Sequence, residues 1–287
     1  MDIVIIYNII LFLLIMIASL QYIKLINMFE PIKRDKLLRI NLQKHLLEKI
    51  RKKHPKMILD DLMINNKNGN IININIFKIS KNKKWIFYLH GNKYDVLHYY
   101  KYIKRLLNIG NVLLFDYRGY GLSDGIPSPR GCIEDTLLVW DYFLKNIGTN
   151  SNTVFYGNSL GGGIACKTLI TLIEQKKAIP EGILLESTFT SVTDMAKKRY
   201  PAMHILFSKL LYDTLNSKKN LKNIIKLKKK LIPKILISHS KEDEIIPYSH
   251  SLELNKINKN IKHIAIRGEH GDENIDEKYL NEIKKLF

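Results

Sequence analysis

The sequence predicts an α/β protein: a mostly parallel β-sheet covered by helices on both faces. Three observations carry this. Short apolar runs alternate with helix-length segments from residue 85 to the C-terminus. One run leads through a Gly-x-Ser-x-Gly turn directly into an apolar helical stretch. A pair of strands around a turn-rich loop precedes the alternation.

From the N-terminus, Ile3 to Leu20 is almost uninterrupted apolar, broken only by Asn8 and Ser19. About 18 to 20 such residues just span a hydrocarbon core. Residues 1–22 are therefore expected to be a transmembrane anchor, the alternative being a signal peptide. A signal peptide starts with positive charge and has a short apolar core, whereas here Asp2 precedes a long one. Lys24, Lys33, Arg34, Lys36 and Arg39 outweigh Glu30 and Asp35, an excess that stays cytoplasmic and would put the rest of the chain in the cytosol. Residues 23–58 read as a basic, partly helical linker. Leu37, Leu38, Ile40, Leu46, Leu47 and Ile50 recur there near the helical period, so this stretch either lies on a membrane surface or packs on the domain.

The globular domain is expected over 59–287. Leu62–Ile64 and Ile72–Phe77 flank a loop, residues 66–70, rich in Asn and Gly, the composition of a hairpin turn. Strands are expected at Trp85–Leu89, Val112–Phe115, Thr153–Tyr156, Ile183–Leu185, Ile235–Ile237 and His263–Ile266. The connection from 188 to 232 breaks the rhythm. With helical stretches near Met203–Leu215 and Leu221–Leu231, it reads as a helical cap inserted after the sixth strand.

Composition narrows the function classes. Among 287 residues, Cys132 and Cys166 have no paired spacing for a disulfide framework or a structural zinc site. The net charge of +19 comes from lysines spread along the whole chain among abundant Asn and Ile, without a recognition module, which argues against nucleic-acid binding. The chain has no Asn-x-Ser/Thr acceptor, in keeping with a cytosolic domain.

The chemistry concentrates at Gly157-Asn158-Ser159-Leu160-Gly161. A serine on so sharp a strand-to-helix turn is strained, and Gly157 and Gly161 leave room for the turn to close. The helix start presents the Leu160 amide to a carbonyl oxygen that gains charge. His90-Gly91-Asn92 ends an earlier strand and offers the Asn92 amide as a second donor. A serine hydroxyl needs a base, and His270 follows the last strand. The base needs a carboxylate to fix its tautomer. Asp243, after the seventh strand, lies between Ser159 and His270 in chain order, with Glu242, Glu244 and Asp272 as rivals.

Together these residues resemble the α/β-hydrolase superfamily, and within it the Bem46-like and α/β-hydrolase domain-containing protein 13 group of membrane-anchored serine hydrolases. The resemblance runs from about Trp85 to the C-terminus. Its most specific parts are the stretch 111–125, with Phe115-Asp116-Tyr117-Arg118-Gly119-Tyr120-Gly121, and Leu185-Glu186-Ser187-Thr188-Phe189. Pro233, Ser240, Asp243 and Pro247 fit the pattern around the family's acid, with Ser240 where glycine is more usual. The resemblance implies a Ser159-His270-Asp243 triad that cleaves acyl ester or thioester bonds through an acyl-enzyme, without metal or organic cofactor. It leaves a peptidase, an acyltransferase or an inactive membrane-tethered scaffold as alternatives. The expected partner is an acyl-ester small molecule or lipid such as a lysophospholipid, with Tyr200, Met203, Phe207, Leu210 and Tyr212 as the cap's apolar positions.

Overall fold

A computed structural model of the chain describes residues 3–26, 29–31, 36–53, 55–79, 84–199, 201, 215–227, 232–271 and 275–287. Eight strands form one sheet in the order β1-β2-β4-β3-β5-β6-β7-β8. β1 (Met57–Asn65) and β2 (Ile71–Ile79) are the expected hairpin, and β2 joins β4 (Asn111–Phe115) antiparallel. All remaining pairings are parallel, through β3 (Trp85–Leu89), β5 (Thr153–Asn158), β6 (Gly182–Glu186), β7 (Lys234–Ser240) and β8 (Lys262–Ile266).

Alternation along β3 shows how the sheet gains two cores. Trp85, Phe87 and Leu89 point to one face and pack with Trp140 and Phe143 of α4 (Pro129–Asn146) and Ile164 and Leu169 of α5 (Leu160–Glu174). Ile86 and Tyr88 point to the other and meet Ile103 and Leu106 of α3 (Val96–Leu106). Residues that alternate in a strand buried on both sides read as a continuous apolar run, as this one does.

The chain moves from β3 outward to β4 through α3, then returns across β3 to β5 through α4 on the opposite face. The carboxyl ends of β3 and β5 therefore flank a topological switch point, where open α/β sheets place their ligand crevice.

Among the described residues no helix is long and apolar enough to cross a membrane, so the transmembrane segment expected at 1–22 is not supported. α1 (Ile3–Ile26) is helical, and its apolar side chains between Ile5 and Ile17 are exposed. The cytosolic orientation rested on that span.

α2 (Lys36–Lys53) lies on the domain, with Leu47 and Ile50 in the core beside Leu59. Gln43 donates to Asp61 at 2.9 Å and Arg51 to the Leu59 carbonyl at 3.0 Å. In the connection between β6 and β7, α6 (Val192–Arg199) and α7 (Ser217–Ile225) are described, and α7 buries Leu221 and Ile224. Tyr200, Met203, Phe207, Leu210 and Tyr212 lie outside the described residues.

Candidate active site

Ser159 sits between the end of β5 and the first residue of α5, at φ 54 and ψ −117. Both sides of its backbone are tied to the exit of β6. Its N–H donates to the Glu186 carbonyl at 2.8 Å, and its carbonyl accepts from the Thr188 hydroxyl at 2.7 Å. The glycines are required by close approach. A Cβ on Gly161 would stand 1.9 Å from the Leu89 carbonyl oxygen, and one on Gly157 2.6 Å from the Gly161 carbonyl oxygen. The obstruction is therefore the end of β3 and the first turn of α5, rather than the serine side chain.

The structure brings Ser159, His270 and Asp243 together. His270 Nε2 is 3.0 Å from Ser159 Oγ, and His270 Nδ1 is 2.7 Å from Asp243 Oδ2. An ionised carboxylate only accepts, so Nδ1 carries the proton and Nε2 is left to accept from the serine hydroxyl. Asp243 Oδ1 accepts from the amides of Ile245 at 3.0 Å and Ile246 at 2.7 Å. Burial of its side chain would raise the carboxyl pKa. Hydrogen bonds from His239 and His270, with the Ile246 amide, outweigh that and hold it well below the usual carboxylate range.

Sequence reasoning missed His239, whose Nε2 lies 3.1 Å from Asp243 Oδ2 and 2.8 Å from the Ile246 carbonyl. The rival acids take another task. Glu244 accepts from the His270 amide at 3.0 Å and Glu242 from the Gly268 amide at 2.9 Å, so both carboxylates hold the loop that carries the histidine. Asp272 lies outside the described residues.

Leu160 is buried at the start of α5, where a helix leaves its first N–H groups without intrahelical partners. Asn92 lies in the loop after β3. A Cβ on its neighbour Gly91 would be 3.5 Å from Ser159 Cβ, so this loop lies against Ser159. His90 Nδ1 bonds the Gly91 carbonyl at 2.8 Å, fixing the peptide whose N–H belongs to Asn92. Burial lowers the His90 pKa to about 4, so the ring is neutral. Tyr120 OH donates to the Asn92 carbonyl at 2.7 Å, and Tyr117 OH to the His90 carbonyl at 3.3 Å. The aromatic residues of the 111–125 segment thus support the loop beside the serine.

Asn158 turns its side chain inward, donating to Glu186 at 3.0 Å. The buried Glu186 carboxylate also accepts from Tyr156 and Tyr279, each at 2.6 Å. This network under the turn explains why residues 185–189 form a recognisable pattern. Cys166 is buried in α5, its thiol pushed up to about 12 by desolvation.

A nucleophile turn after the central strand, a histidine after the last strand and an acid after the one before it define the α/β-hydrolase class. The family model described as "Serine aminopeptidase, S33" matches residues 80–231, more than half of the chain, and the chain belongs to this family, in the Bem46-like group of the superfamily.

It is 28% identical over 248 residues to an uncharacterized protein of Acanthamoeba polyphaga mimivirus, covering 80% of this chain and 77% of that one. It is 31% identical over 181 residues to the lysophosphatidylserine lipase ABHD12 of Bos taurus, covering 59% of this chain and 44% of that protein. Protein bem46 of Schizosaccharomyces pombe is 31% identical over 166 residues, covering 56% of this chain and 52% of its own length. The chain thus spans about half the length of the last two relatives. An α/β hydrolase from Vibrio vulnificus superposes with a TM-score of 0.67 at 18% identity, covering 90% of this chain and 96% of that one. An esterase from Pyrococcus furiosus superposes with a TM-score of 0.60 at 16% identity, covering 82% and 93%. These two likenesses concern the fold alone.

Proposed function

We propose that this hydrolase is a serine esterase that cleaves acyl ester or thioester bonds of lysophospholipid-like substrates through an acyl-enzyme. The observation that carries the reading is the continuous chain from Ser159 Oγ to His270 at 3.0 Å and from His270 to the buried Asp243 at 2.7 Å. The name of the bovine relative, a lysophosphatidylserine lipase, supports the substrate class.

In the first half-reaction Ser159 Oγ attacks the acyl carbonyl and its proton passes to His270 Nε2. The carbonyl π electrons move to oxygen, where the Asn92 and Leu160 amides hold the developing charge. As the tetrahedral species collapses, His270 returns the proton to the departing alkoxide or thiolate. Water, deprotonated by His270, then releases the acyl group and regenerates Ser159. Asp243 keeps the proton of His270 on Nδ1 and stabilises the imidazolium.

The test is fluorophosphonate labelling, followed by hydrolysis of a chain-length series of lysophosphatidylserine and lysophosphatidylcholine beside aminopeptidase substrates. Labelling lost in Ser159→Ala together with lysophospholipid turnover is the expected result. Turnover confined to peptide substrates would redirect the reading to the peptidase alternative, and labelling that persists in Ser159→Ala would remove the nucleophile.

A further inference from the structure

The loop from Gly91 to Asp95 carries a conformation that does not hold itself. Tyr94 has φ 73, a strained angle for a residue with a side chain, and such strain persists only where the surroundings over-determine it. Part of those surroundings comes from the segment ahead of the domain. Glu30 forms a parallel bridge with Lys93, and its N–H donates to the Asn92 carbonyl at 3.0 Å. That carbonyl is the one Tyr120 OH also binds, and Phe29 packs edge-on against the Tyr120 ring, with centroids 6.5 Å apart.

At the far end of the loop, the buried Arg39 of α2 donates to the Asp95 carboxylate at 3.3 Å and also to the Gly121 carbonyl, one residue beyond Tyr120. The two contacts join the loop to the turn that props it. A guanidinium can reach both acceptors because its donors point in different directions within one plane, whereas a lysine ammonium is a single point.

We infer that Glu30, through its backbone amide, and Arg39, through its fork, are positioning residues of the oxyanion hole. The lead-in to the domain is then part of the catalytic apparatus. This rests on the proposed role of the Asn92 amide. Neither residue touches substrate; each acts through the 91–95 loop.

The experiment uses the full chain. Glu30→Pro removes the amide hydrogen and also fixes φ and restricts Phe29, whereas Glu30→Ala keeps the hydrogen, so their difference reads the loss of the backbone bond together with that restriction. Relative to Glu30→Ala, Glu30→Pro is expected to lower kcat about ten- to a hundredfold with KM near its original value, a part of what loss of a whole oxyanion donor costs. Ki for a trifluoromethyl ketone, whose adduct with Ser159 bears the same oxyanion, should weaken by the same factor. Residues that only support the fold would lower the melting temperature and the fraction of serines titrated by fluorophosphonate, leaving kcat per titrated site and Ki in place.

Arg39→Lys is the second arm and stands alone if Glu30→Pro shows no cooperative thermal transition. It is expected to lower kcat and weaken the ketone together. If kcat per site and Ki stay within twofold in both variants, or in Arg39→Lys where only it folds, the inference is overturned. A failure of the triad reading would show separately, as labelling retained in Ser159→Ala.

Discussion

Asp243→Asn tests the site at the point where its geometry is most constrained. Oδ1 accepts two backbone amides, from Ile245 and Ile246, while Oδ2 faces the rings of His270 and His239. An asparagine must put its oxygen on one side and its NH2 on the other. Turning the NH2 toward the two amides would leave donors facing donors, at about 1–3 kcal/mol for each group left unsatisfied. The oxygen therefore stays with the two amides, and the NH2 faces His270 and the Nε2–H of His239, one donor clash in place of two. His270 must then accept at Nδ1 and carry its proton on Nε2, the nitrogen 3.0 Å from Ser159 Oγ. A base already protonated at that position cannot take the serine proton. The expected loss in kcat is about 10⁴-fold, or about 5 kcal/mol at about 1.36 kcal/mol per decade. The assay is steady-state hydrolysis of a short-chain ester at neutral pH, with a thermal melt to show that the fold survives. A folded variant that retains more than a tenth of wild-type kcat would refute the tautomer argument.

Further outcomes follow from neighbouring contacts. Glu242→Gln and Glu244→Gln keep an oxygen that can accept from the Gly268 and His270 amides, so kcat should stay within about fivefold of wild type; a loss near that of Asp243→Asn would mean the acid is misassigned. Gly161→Ala puts a methyl 1.9 Å from the backbone oxygen of Leu89, which cannot swing aside, and should yield insoluble or unlabelled protein; wild-type labelling would contradict the packing. Burial lowers the pKa of both His90 and His250 to about 4 from 6.5. Between those values the unfolded chain binds protons that the folded chain does not, so stability falls as pH drops from 6.5 to 4. For the fully buried His90 the window of 6.5 − 4 = 2.5 pH units corresponds to about 3 kcal/mol. Urea titrations at stepped pH should show this slope, and His250→Gln should flatten it; a slope of opposite sign would exclude neutral buried rings.

Most of the strand framework, and the three residues that the structure brings together, were legible because each depends on local chemistry. Every expected strand is present, extended by a residue or more in β4 to β8. The turn glycines mark Ser159, and the position after β8 marks His270. The choice among Glu242, Asp243 and Glu244 was harder, because three adjacent carboxylates differ only in the turn that follows. The short side chain at 243 reaches back to the amides of 245 and 246 and is drawn inward, while its longer neighbours reach across to the histidine loop.

His239 was invisible because its role depends on a contact four residues along a turn. The docking of α2 and the Glu30–Lys93 bridge were hidden for a different reason. A mixed apolar and basic segment suits a protein surface and a membrane surface equally, and pairing of single backbone groups leaves no mark on side-chain patterns. The span expected at 1–22 is not supported, because no helix among the described residues is long and apolar enough to cross a membrane.

The backbone angles of Ser159 carry an implication for how such proteins decay. At φ 54 a serine is held against its preference by its ties to Glu186 and Thr188, whereas glycine would rest there at little cost. Exchange of Ser159 for glycine should therefore raise the denaturation midpoint, by about 1 kcal/mol of stability, while ending turnover. Selection for reactivity is then what keeps the less stable residue in place. In a lineage freed from that selection, this position is among the first from which the ancestral chemistry would be erased, because mutation and stability push the same way.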